Sequence, residues 1–408
     1  MNKTIYKRFA HVIVEIGINL QPGQEVLLTI STRQRAFAKY ITEACYKKGA
    51  ARVNINWLDE DIDYLKYKYE DEASLSKVRD FEVSKARHMS KVIPCRIWVD
   101  DDNPAAFDGL DINKIIRVGR SRRRVLKKYR DITDGYEQWC IVAVPSPAWA
   151  NVVFPNMTKK DAMKHLWEAI IKTTRLESSN PVLEWNNHVK NLSSKASILN
   201  KLHLDYLKYR SSNGTDLKIK LHKMHLWQSA SEANKKGITF VANMPTEEVF
   251  TMPDRYGVDG VVKSTKPLSY NGSLIEDFTI WFEAGKAVKW EARKGYDTLT
   301  GIIESDEASH RLGEVALVPY DSPINESKIL FYNTLFDENA CCHLAFGHAF
   351  KDNLVGYETM SEEEFKKIDF NDSIVHVDFM IGSEDLEIKG YDSNDKEYII
   401  FKNGKWAI

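Results

Sequence analysis

The stretch IVHVDFMIG, residues 374–382, alternates in a way that predicts the β-strand on which the fold of the second half depends. Successive side chains of a strand point to opposite faces. One face of this strand is apolar and consists of Val375, Val377, Phe379 and Ile381. The other face presents His376, Asp378 and Met380. Burying an imidazole and a carboxylate without partners costs several kcal/mol, so the stretch predicts a group that compensates them.

Three further segments of the second half place acidic or imidazole groups among apolar or small residues: MPTEEVF (244–250), LGEVALVP (312–319) and FDENACCHLAFGHAF (336–350). Together with the strand above, they supply six candidate metal ligands: Glu248, Glu314, Glu338, His343, His376 and Asp378. Carboxylates gathered in one pocket repel each other unless cations or protons neutralise them. Imidazole with carboxylate suits zinc, cobalt or manganese, whereas magnesium alone does not call for histidine. Six ligands suggest two divalent cations.

Simpler interpretations of these residues stay open at the level of spacing. A lone histidine in a strand is more often a core or surface residue than a ligand, and the H-x-D pattern is a weak signal. The sequence contains no H-E-x-x-H, no G-x-S-x-G and no Walker loop. These absences argue against a zincin, a serine hydrolase and a nucleotide-dependent enzyme.

Composition limits the class of protein. The chain has 408 residues, of which 43% are apolar, and this length predicts two domains. Lys and Arg number 57 against 58 Asp and Glu, so no overall charge draws the protein to nucleic acid or to a membrane. The dense basic run RSRRRVLKK (120–128) is expected to be a solvated helix face, with nucleic-acid binding through this run as the alternative. Five cysteines without C-x-x-C spacing, and no long apolar segment, predict a soluble cytoplasmic protein.

The two halves differ in their patterns. In the first half, amphipathic helices alternate with apolar runs such as EVLLTI (25–30), which predicts a layered α/β domain with a mostly parallel sheet over residues 1–185. In the second half, short alternating segments and hairpin signals predict a β-rich α+β domain over residues 186–408. This second domain carries all six candidate ligands.

Several of these segments resemble one known family. The strings NMPTEEVFTMPDRYGVDGVVKSTKPL (243–268), RLGEVALVP (311–319), FYNTLFDENACCHLAFG (331–347) and HVDFMIGS (376–383) are similar to those of the M29 metallopeptidases, the aminopeptidases of the T and S type. The phrase INLQPGQEVLL (18–28) resembles the opening of the same family. The resemblance therefore covers essentially the full chain.

The resemblance implies a cytoplasmic exopeptidase that removes N-terminal residues from peptides with a free N-terminus. It also implies a homodimer whose active sites face an enclosed space. Carried over motif by motif, the implied metal ligands are Glu248, Glu314, Glu338, His343, His376 and Asp378. The implied cofactors are two divalent metal ions, with zinc or cobalt favoured and manganese or magnesium as alternatives.

For the reaction we expect hydrolysis by a metal-activated water. Glu314 is the expected bridging carboxylate because its apolar strand can hold it rigidly. Glu248 is the expected catalytic base that accepts the water's proton and delivers it to the leaving amine.

One position departs from the family pattern. Phe350 stands where members usually have a tyrosine, and a phenyl ring can neither bind a metal nor donate a hydrogen bond. His348 or Tyr357 could supply the missing contact. Two alternative functions follow: a catalytically impaired family member, or a two-metal phosphoesterase that uses similar ligands.

Overall fold

The structure is a computed structural model that describes residues 3–101, 103, 106–270, 272–365 and 367–408. Their contacts form two compact units. The first unit contains the residues up to 186 together with 232–244, and the second contains 187–231 and 245–408. The predicted division into domains of residues 1–185 and 186–408 stays a prediction.

The α-helices of the described residues are α1 (Lys3–Val12), α2 (Arg35–Lys48), α3 (Glu60–Tyr69), α4 (Glu72–Ser76), α5 (Asp80–Val92), α6 (Ile112–Thr133), α7 (Pro147–Val153), α8 (Lys159–Thr173), α9 (Pro181–Leu202), α10 (Tyr296–Ile303), α11 (Pro323–Glu326), α12 (Thr334–Asp337) and α13 (Glu362–Phe365). A π-helical turn covers Ile13–Gly17. Short 3-10 helices cover Thr32–Gln34, Glu338–Ala340, Lys351–Asn353 and Tyr357–Thr359.

The strands of the described residues are β1 (Glu25–Ser31), β2 (Arg52–Leu58), β3 (Cys95–Asp100), β4 (Trp139–Ala143), β5 (Leu204–Arg210), β6 (Asp216–Leu221), β7 (Glu232–Ala233), β8 (Thr239–Phe240), β9 (Asn243–Met244), β10 (Val249–Thr251), β11 (Pro253–Lys263), β12 (Leu268–Tyr270), β13 (Ser273–Glu283), β14 (Lys286–Lys294), β15 (Leu312–Leu317), β16 (His343–Gly347), β17 (His376–Met380), β18 (Glu387–Asp392), β19 (Glu397–Lys402) and β20 (Lys405–Trp406).

The first unit is built on a parallel five-stranded sheet in the order β2-β1-β3-β4-β9. Residues 26–31 of strand β1 are all buried, so both faces of the strand are covered, which explains its continuous apolar run. The helix α2 ends at Gly49, which adopts φ 99° and so closes the helix in the left-handed conformation. The predicted α/β domain with a parallel sheet is confirmed.

The edge strand β9 of this sheet comes from a distant part of the sequence. Its residues Asn243 and Met244 pair in parallel with Ile141 and Val142 of β4. The Ile141 amide also donates to the Ala242 carbonyl at 2.7 Å. Residues 232–244 therefore complete a sheet whose other strands all lie before residue 144.

The second unit contains two antiparallel sheets. The larger has the strand order β12-β13-β11-β6-β5-β18-β19-β20, with β14 paired to β13. The smaller has the order β10-β15-β16-β17. The predicted β-rich character of this half is confirmed.

The stretch 374–382 contains strand β17, and its apolar and polar side chains lie on opposite faces of the sheet, as predicted. Val377, Phe379 and Ile381 lie in the apolar core of the second unit. This core takes side chains from both sheets, among them Leu207, Ile219, Phe278, Val315, Leu344 and Phe346. One face of the small sheet is thus buried in the core, and the opposite face carries the polar groups.

The basic run 120–128 lies within α6. There the Arg122 guanidinium pairs with the Glu82 carboxylate, and the Lys127 ammonium pairs with Asp131 at 2.7 Å. Part of its charge is thus balanced locally. Across the part of the chain that the structure describes, no helix combines the length and the apolar character that a membrane crossing requires.

Candidate metal centre

The polar face of the small sheet gathers its side chains through strand register. In this register Ala345 of β16 lies opposite Glu314 on one side and opposite Asp378 on the other. Directly opposed residues share a face, so both carboxylates project on the same side as the small Ala345 side chain. The side chain between the two carboxylates is therefore a single methyl group.

Both histidines belong to this same face. His343 precedes Ala345 by two residues, and His376 precedes Asp378 by two residues, so the period of the strand places all four groups together. His376 lies opposite Gly347, which has φ 92°. A Cβ atom at Gly347 would lie 2.1 Å from the Val375 carbonyl oxygen, so only glycine allows these strands to approach here.

The ligand atoms form two groups that share one carboxylate. In the first group, the His343 Nε2 atom lies 3.3 Å from the Glu248 carboxylate and 3.5 Å from Glu314 Oε1. In the second, the His376 Nε2 atom lies 3.6 Å from Glu314 Oε2 and 3.4 Å from Asp378 Oδ1. Within each group the ligand atoms lie no more than 4.8 Å apart. The two oxygens of Glu314 therefore face two different imidazoles.

Glu248 reaches this face from outside the sheet. Residues 245–248 form an irregular segment that leads into β10, and the Glu248 side chain points to His343. The neighbouring Glu247 carboxylate points elsewhere, since it lies 3.6 Å from His188 Nε2. Of the two adjacent glutamates, only Glu248 joins a ligand group.

Glu338 lies beside the two groups and belongs to neither of them. It starts the 3-10 helix after α12, and its Oε1 atom accepts a hydrogen bond of 3.3 Å from the Asn339 side-chain amide. Glu338 also lines a cavity of about 110 Å³ together with His376 and Asp378. The fold thus brings five of the six predicted residues into two contiguous groups and places the sixth at the wall of the adjoining cavity.

Burial and mutual charge perturb these groups strongly. Burial raises the pKa of Glu338 well above its usual value, and the charges of Asp378 and Glu248 raise it further. Burial likewise raises the pKa of Glu314. Burial is the largest cause for both carboxyl groups, so their ionisation is favoured only where positive charge lies close by.

The neighbouring carboxylates raise the pKa values of both imidazoles. Burial alone would lower the pKa of His343, but hydrogen bonds to Glu248 and Glu314 raise it well above its usual value. For His376, burial again opposes protonation, yet the charges of Asp378 and Glu314 raise its pKa to about 10. The neighbouring carboxylates thus favour the protonated form of both imidazoles.

The residues fit divalent cations in both spacing and chemistry. Two ligand atoms bound at about 2.1 Å to one tetrahedral cation lie about 3.4 Å apart. The nitrogen–oxygen distances given above, from 3.3 to 3.6 Å, match that spacing. The donor set of carboxylate oxygen and imidazole nitrogen is one that zinc, cobalt and manganese accept.

The orientation of His376 also suits a ligand. Its Nδ1 atom lies 2.7 Å from the carbonyl oxygen of His348, a distance at which the ring donates to the carbonyl. Because Nδ1 donates to this carbonyl, Nε2 is the ring atom directed at Glu314 and Asp378, and it can bind a cation once it has lost its proton. A backbone acceptor of this kind fixes the tautomer of metal-binding histidines.

Phe350 contacts the candidate site directly. Its ring centre lies 4.6 Å from that of His376, and 39% of the residue is exposed. His348 pairs with Asp372 at 3.1 Å, and the Tyr357 ring packs against Phe365. These contacts direct both alternative groups toward partners outside the two ligand groups.

Sequence reasoning missed two side chains that support the centre. Asn339 donates to Glu338 and accepts from the backbone of Glu247, and His188 contacts the Thr246 carbonyl at 2.7 Å. Asn339 directly follows a candidate ligand, which is the only signal that the sequence offers for it. His188 lies far from every candidate ligand in sequence, within an ordinary helix.

Comparison with known proteins identifies relatives along the full chain. Aminopeptidase AmpS of Bacillus subtilis (strain 168) is 46% identical over 401 residues, with 98% of each chain covered. Aminopeptidase T of Thermus thermophilus is 36% identical over 403 residues, again with 98% of each covered. The solved structure of wild-type AmpT from Thermus thermophilus superposes with a TM-score of 0.91 at 34% identity and covers 100% of both chains.

A family model that spans nearly the whole sequence agrees with these comparisons. The model described as thermophilic metalloprotease (M29) matches residues 2–406. Together with two ligand groups on one face of a sheet, this match establishes that the chain belongs to the M29 family of metalloproteases.

Proposed function

We propose that this M29 protein is a metal-dependent aminopeptidase that hydrolyses the N-terminal peptide bond of peptides and uses two divalent cations. The observation that carries the two-cation proposal is the position of Glu314, whose oxygens lie 3.5 Å from His343 Nε2 and 3.6 Å from His376 Nε2. The names of the relatives support the aminopeptidase activity. Such a cation pair supplies positive charge that acidifies a water molecule and polarises the scissile carbonyl.

The ligands divide between two sites in this proposal. Glu248, Glu314 and His343 would hold one cation, and Glu314, His376 and Asp378 would hold the other, with Glu314 belonging to both groups. Glu338 would be the sixth ligand, and its place in the cavity that His376 and Asp378 also line supports this role. The carboxylates would then be neutralised by metal charge instead of by protons on the imidazoles.

The protein's own groups would move the proton. Glu248 accepts the proton of the attacking water and delivers it to the leaving amine. Glu248 lies on an irregular segment, whereas Glu314 lies on strand β15. Glu314 is held on a fully buried strand, which suits a fixed bridging ligand.

We further propose zinc or cobalt as the metal, with manganese or magnesium as alternatives, and a homodimer in the cytoplasm. Five free, buried cysteines support a reducing compartment. Peptides with a free N-terminus are the proposed partners, and nucleic acid and membranes are not. Light scattering on a sizing column checks the dimer.

Metal-free protein reloaded with zinc or cobalt provides the test of activity. Mass spectrometry of metal content should give two ions per chain, and leucine p-nitroanilide should be hydrolysed. N-acetyl-leucine p-nitroanilide, which lacks the free amine, should not be turned over. Turnover of p-nitrophenyl phosphate alone would contradict the aminopeptidase proposal and favour the phosphoesterase.

A second candidate, an aminopeptidase of reduced activity, is favoured by one observation. Phe350 packs on the His376 ring at the position where the family resemblance implies a tyrosine. A ring without a hydroxyl offers no hydrogen bond to charge that develops during the reaction. The Phe350→Tyr variant described below distinguishes the two.

A further inference from the structure

Asn339 lies fully buried between two candidate ligands that come from separate parts of the chain. Its Oδ1 atom accepts a hydrogen bond of 2.7 Å from the Glu247 backbone amide. Its Nδ2 group donates to the Leu335 carbonyl at 3.1 Å and to Glu338 Oε1 at 3.3 Å. One side chain therefore contacts the backbone beside Glu248 and the carboxylate of Glu338.

The segment that carries Glu248 needs such support. Residues 245–248 are not part of a strand, so no sheet register sets the position of Glu248 as it does for Glu314 and Asp378. Side chains hold the segment instead. His188 contacts the Thr246 carbonyl at 2.7 Å, and the Asn339 side chain accepts a hydrogen bond from the Glu247 backbone amide.

We propose that Asn339 is a positioning residue of the metal centre, which sets the distance between the Glu248 segment and the Glu338 carboxylate. This inference rests on the proposed function, since it assumes that these carboxylates hold cations. A side-chain amide suits the task because it combines one acceptor with two donors and carries no charge. A carboxylate in its place would keep the bond from Glu247 but repel Glu338.

The residue also explains how Glu338 is oriented. A glutamate side chain turns freely about its terminal bond, so a buried carboxylate takes its orientation from its hydrogen-bond partners. The Nδ2 group donates to Oε1, and the Glu338 side chain lines one cavity with Asp378 and His376. Partners of this kind, which orient a ligand without touching the metal, typically account for about 10–100-fold in metal affinity.

The test compares Asn339→Leu with a matched control, Asn353→Leu. Asn353 is equally buried, and its amide donates to two backbone carbonyls, those of Leu226 at 3.1 Å and Phe250 at 3.4 Å. Neither acceptor belongs to a candidate ligand. The dissociation constant for zinc is measured on metal-free full-length protein by competition with a chromophoric chelator.

We expect Asn339→Leu to weaken zinc binding by about 10–100-fold, while Asn353→Leu stays within about threefold of the wild type. Saturating zinc should restore the melting temperature of Asn339→Leu toward that of the zinc-loaded wild type. Equal zinc affinity in Asn339→Leu and wild type would overturn the inference. If the wild type itself bound no zinc, the proposed function would fail first, and the inference would fail with it.

A measurement on the wild type covers the case in which Asn339→Leu does not fold. Hydrogen exchange of a peptide that spans Glu247 should show slow exchange of that amide in the metal-free protein, because the amide donates to a buried oxygen. Exchange as fast as in an exposed loop would overturn the inference without any variant.

Discussion

At the scale of single residues, the site depends on Glu314 because it belongs to both ligand groups. In Glu314→Gln the shape is kept and the charge is lost. Removal of a group that only orients a ligand lowers metal affinity or activity by about 10–100-fold. Loss of the shared ligand itself should therefore lower kcat/KM by more than about 100-fold. Metal content should fall below two ions per chain by mass spectrometry.

Glu304→Gln is the control for that variant, because Glu304 is an exposed glutamate at the end of α10 and outside the ligand groups. It should keep both its metal content and its activity. Two bound ions and full activity in Glu314→Gln would show that the carboxylate does not bridge.

Phe350 is the position at which we expect a substitution to raise the rate. In Phe350→Tyr a hydroxyl is added to a ring that lies 4.6 Å from the His376 ring. Since one donor to developing charge is commonly worth about 100-fold, we expect kcat to rise by about tenfold or more. Steady-state kinetics on leucine p-nitroanilide measures the change.

Phe350→Leu separates the hydroxyl from the ring, because it removes the aromatic contact and adds no donor. It should give no gain in kcat. An unchanged kcat in Phe350→Tyr would rule out impairment through the missing hydroxyl.

At the scale of elements, the start of β17 is held by Asp306 from a loop after α10. The carboxylate accepts hydrogen bonds from the Ile374 amide at 2.6 Å, from the Ser373 hydroxyl at 2.9 Å, and from the amides of Ala308 and Ser309 at 2.8 Å each. Asp306→Ala should lower the free energy of unfolding by on the order of 2–3 kcal/mol, as loss of charged hydrogen bonds does.

The pH dependence of this effect has a definite sign. Burial raises the pKa of Asp306, but the hydrogen bonds from Ile374 and Ser373 lower it by more, so its folded pKa lies below its usual value. The stabilisation is therefore present above about pH 4 and is lost as pH falls through the folded pKa. Urea titrations of metal-free wild type and Asp306→Ala should differ most at neutral pH and converge in acid.

Asp369→Ala is the matched control at this scale, since Asp369 is exposed and pairs with Arg255 only at 3.4 Å. It should shift the urea midpoint little at any pH. A constant difference between Asp306→Ala and wild type down to strongly acidic pH would contradict the assignment.

At the scale of the whole molecule, the first unit is completed by a segment far along the chain. Expression of residues 1–185 as a separate fragment removes β9, which pairs with Ile141 and Val142. It also removes the buried side chains of Phe240 and Met244. We expect this fragment to fold with a lowered melting temperature that an added peptide of residues 232–244 raises, as binding to the folded state requires.

Circular dichroism follows the melting of the fragment with and without the peptide. A peptide in which Phe240 and Met244 are replaced by serine serves as the control and should have no effect. Equal melting temperatures with both peptides would show that β9 does not stabilise the first unit.

Local patterns predicted much of the fold and of the site. The alternation in 374–382 placed His376 and Asp378 on the polar face of β17 because the two-residue period of a strand is a property of the backbone itself. The apolar run 25–30 predicted a buried parallel strand for the same kind of reason. The membership of residues 232–244 in the first unit could not be read in this way, since it depends on pairing with a strand about 100 residues earlier.

The sequence by itself determined which acids and imidazoles lie on the polar faces of their strands, because the direction of a side chain follows from local backbone geometry. Only the tertiary structure decided that Glu314 lies between two histidines, that Glu338 lies to one side, and that Asn339 joins it to the Glu248 segment. The register between strands and the position of an irregular segment are set by hydrogen bonds and packing between residues distant in sequence, and no short pattern encodes them.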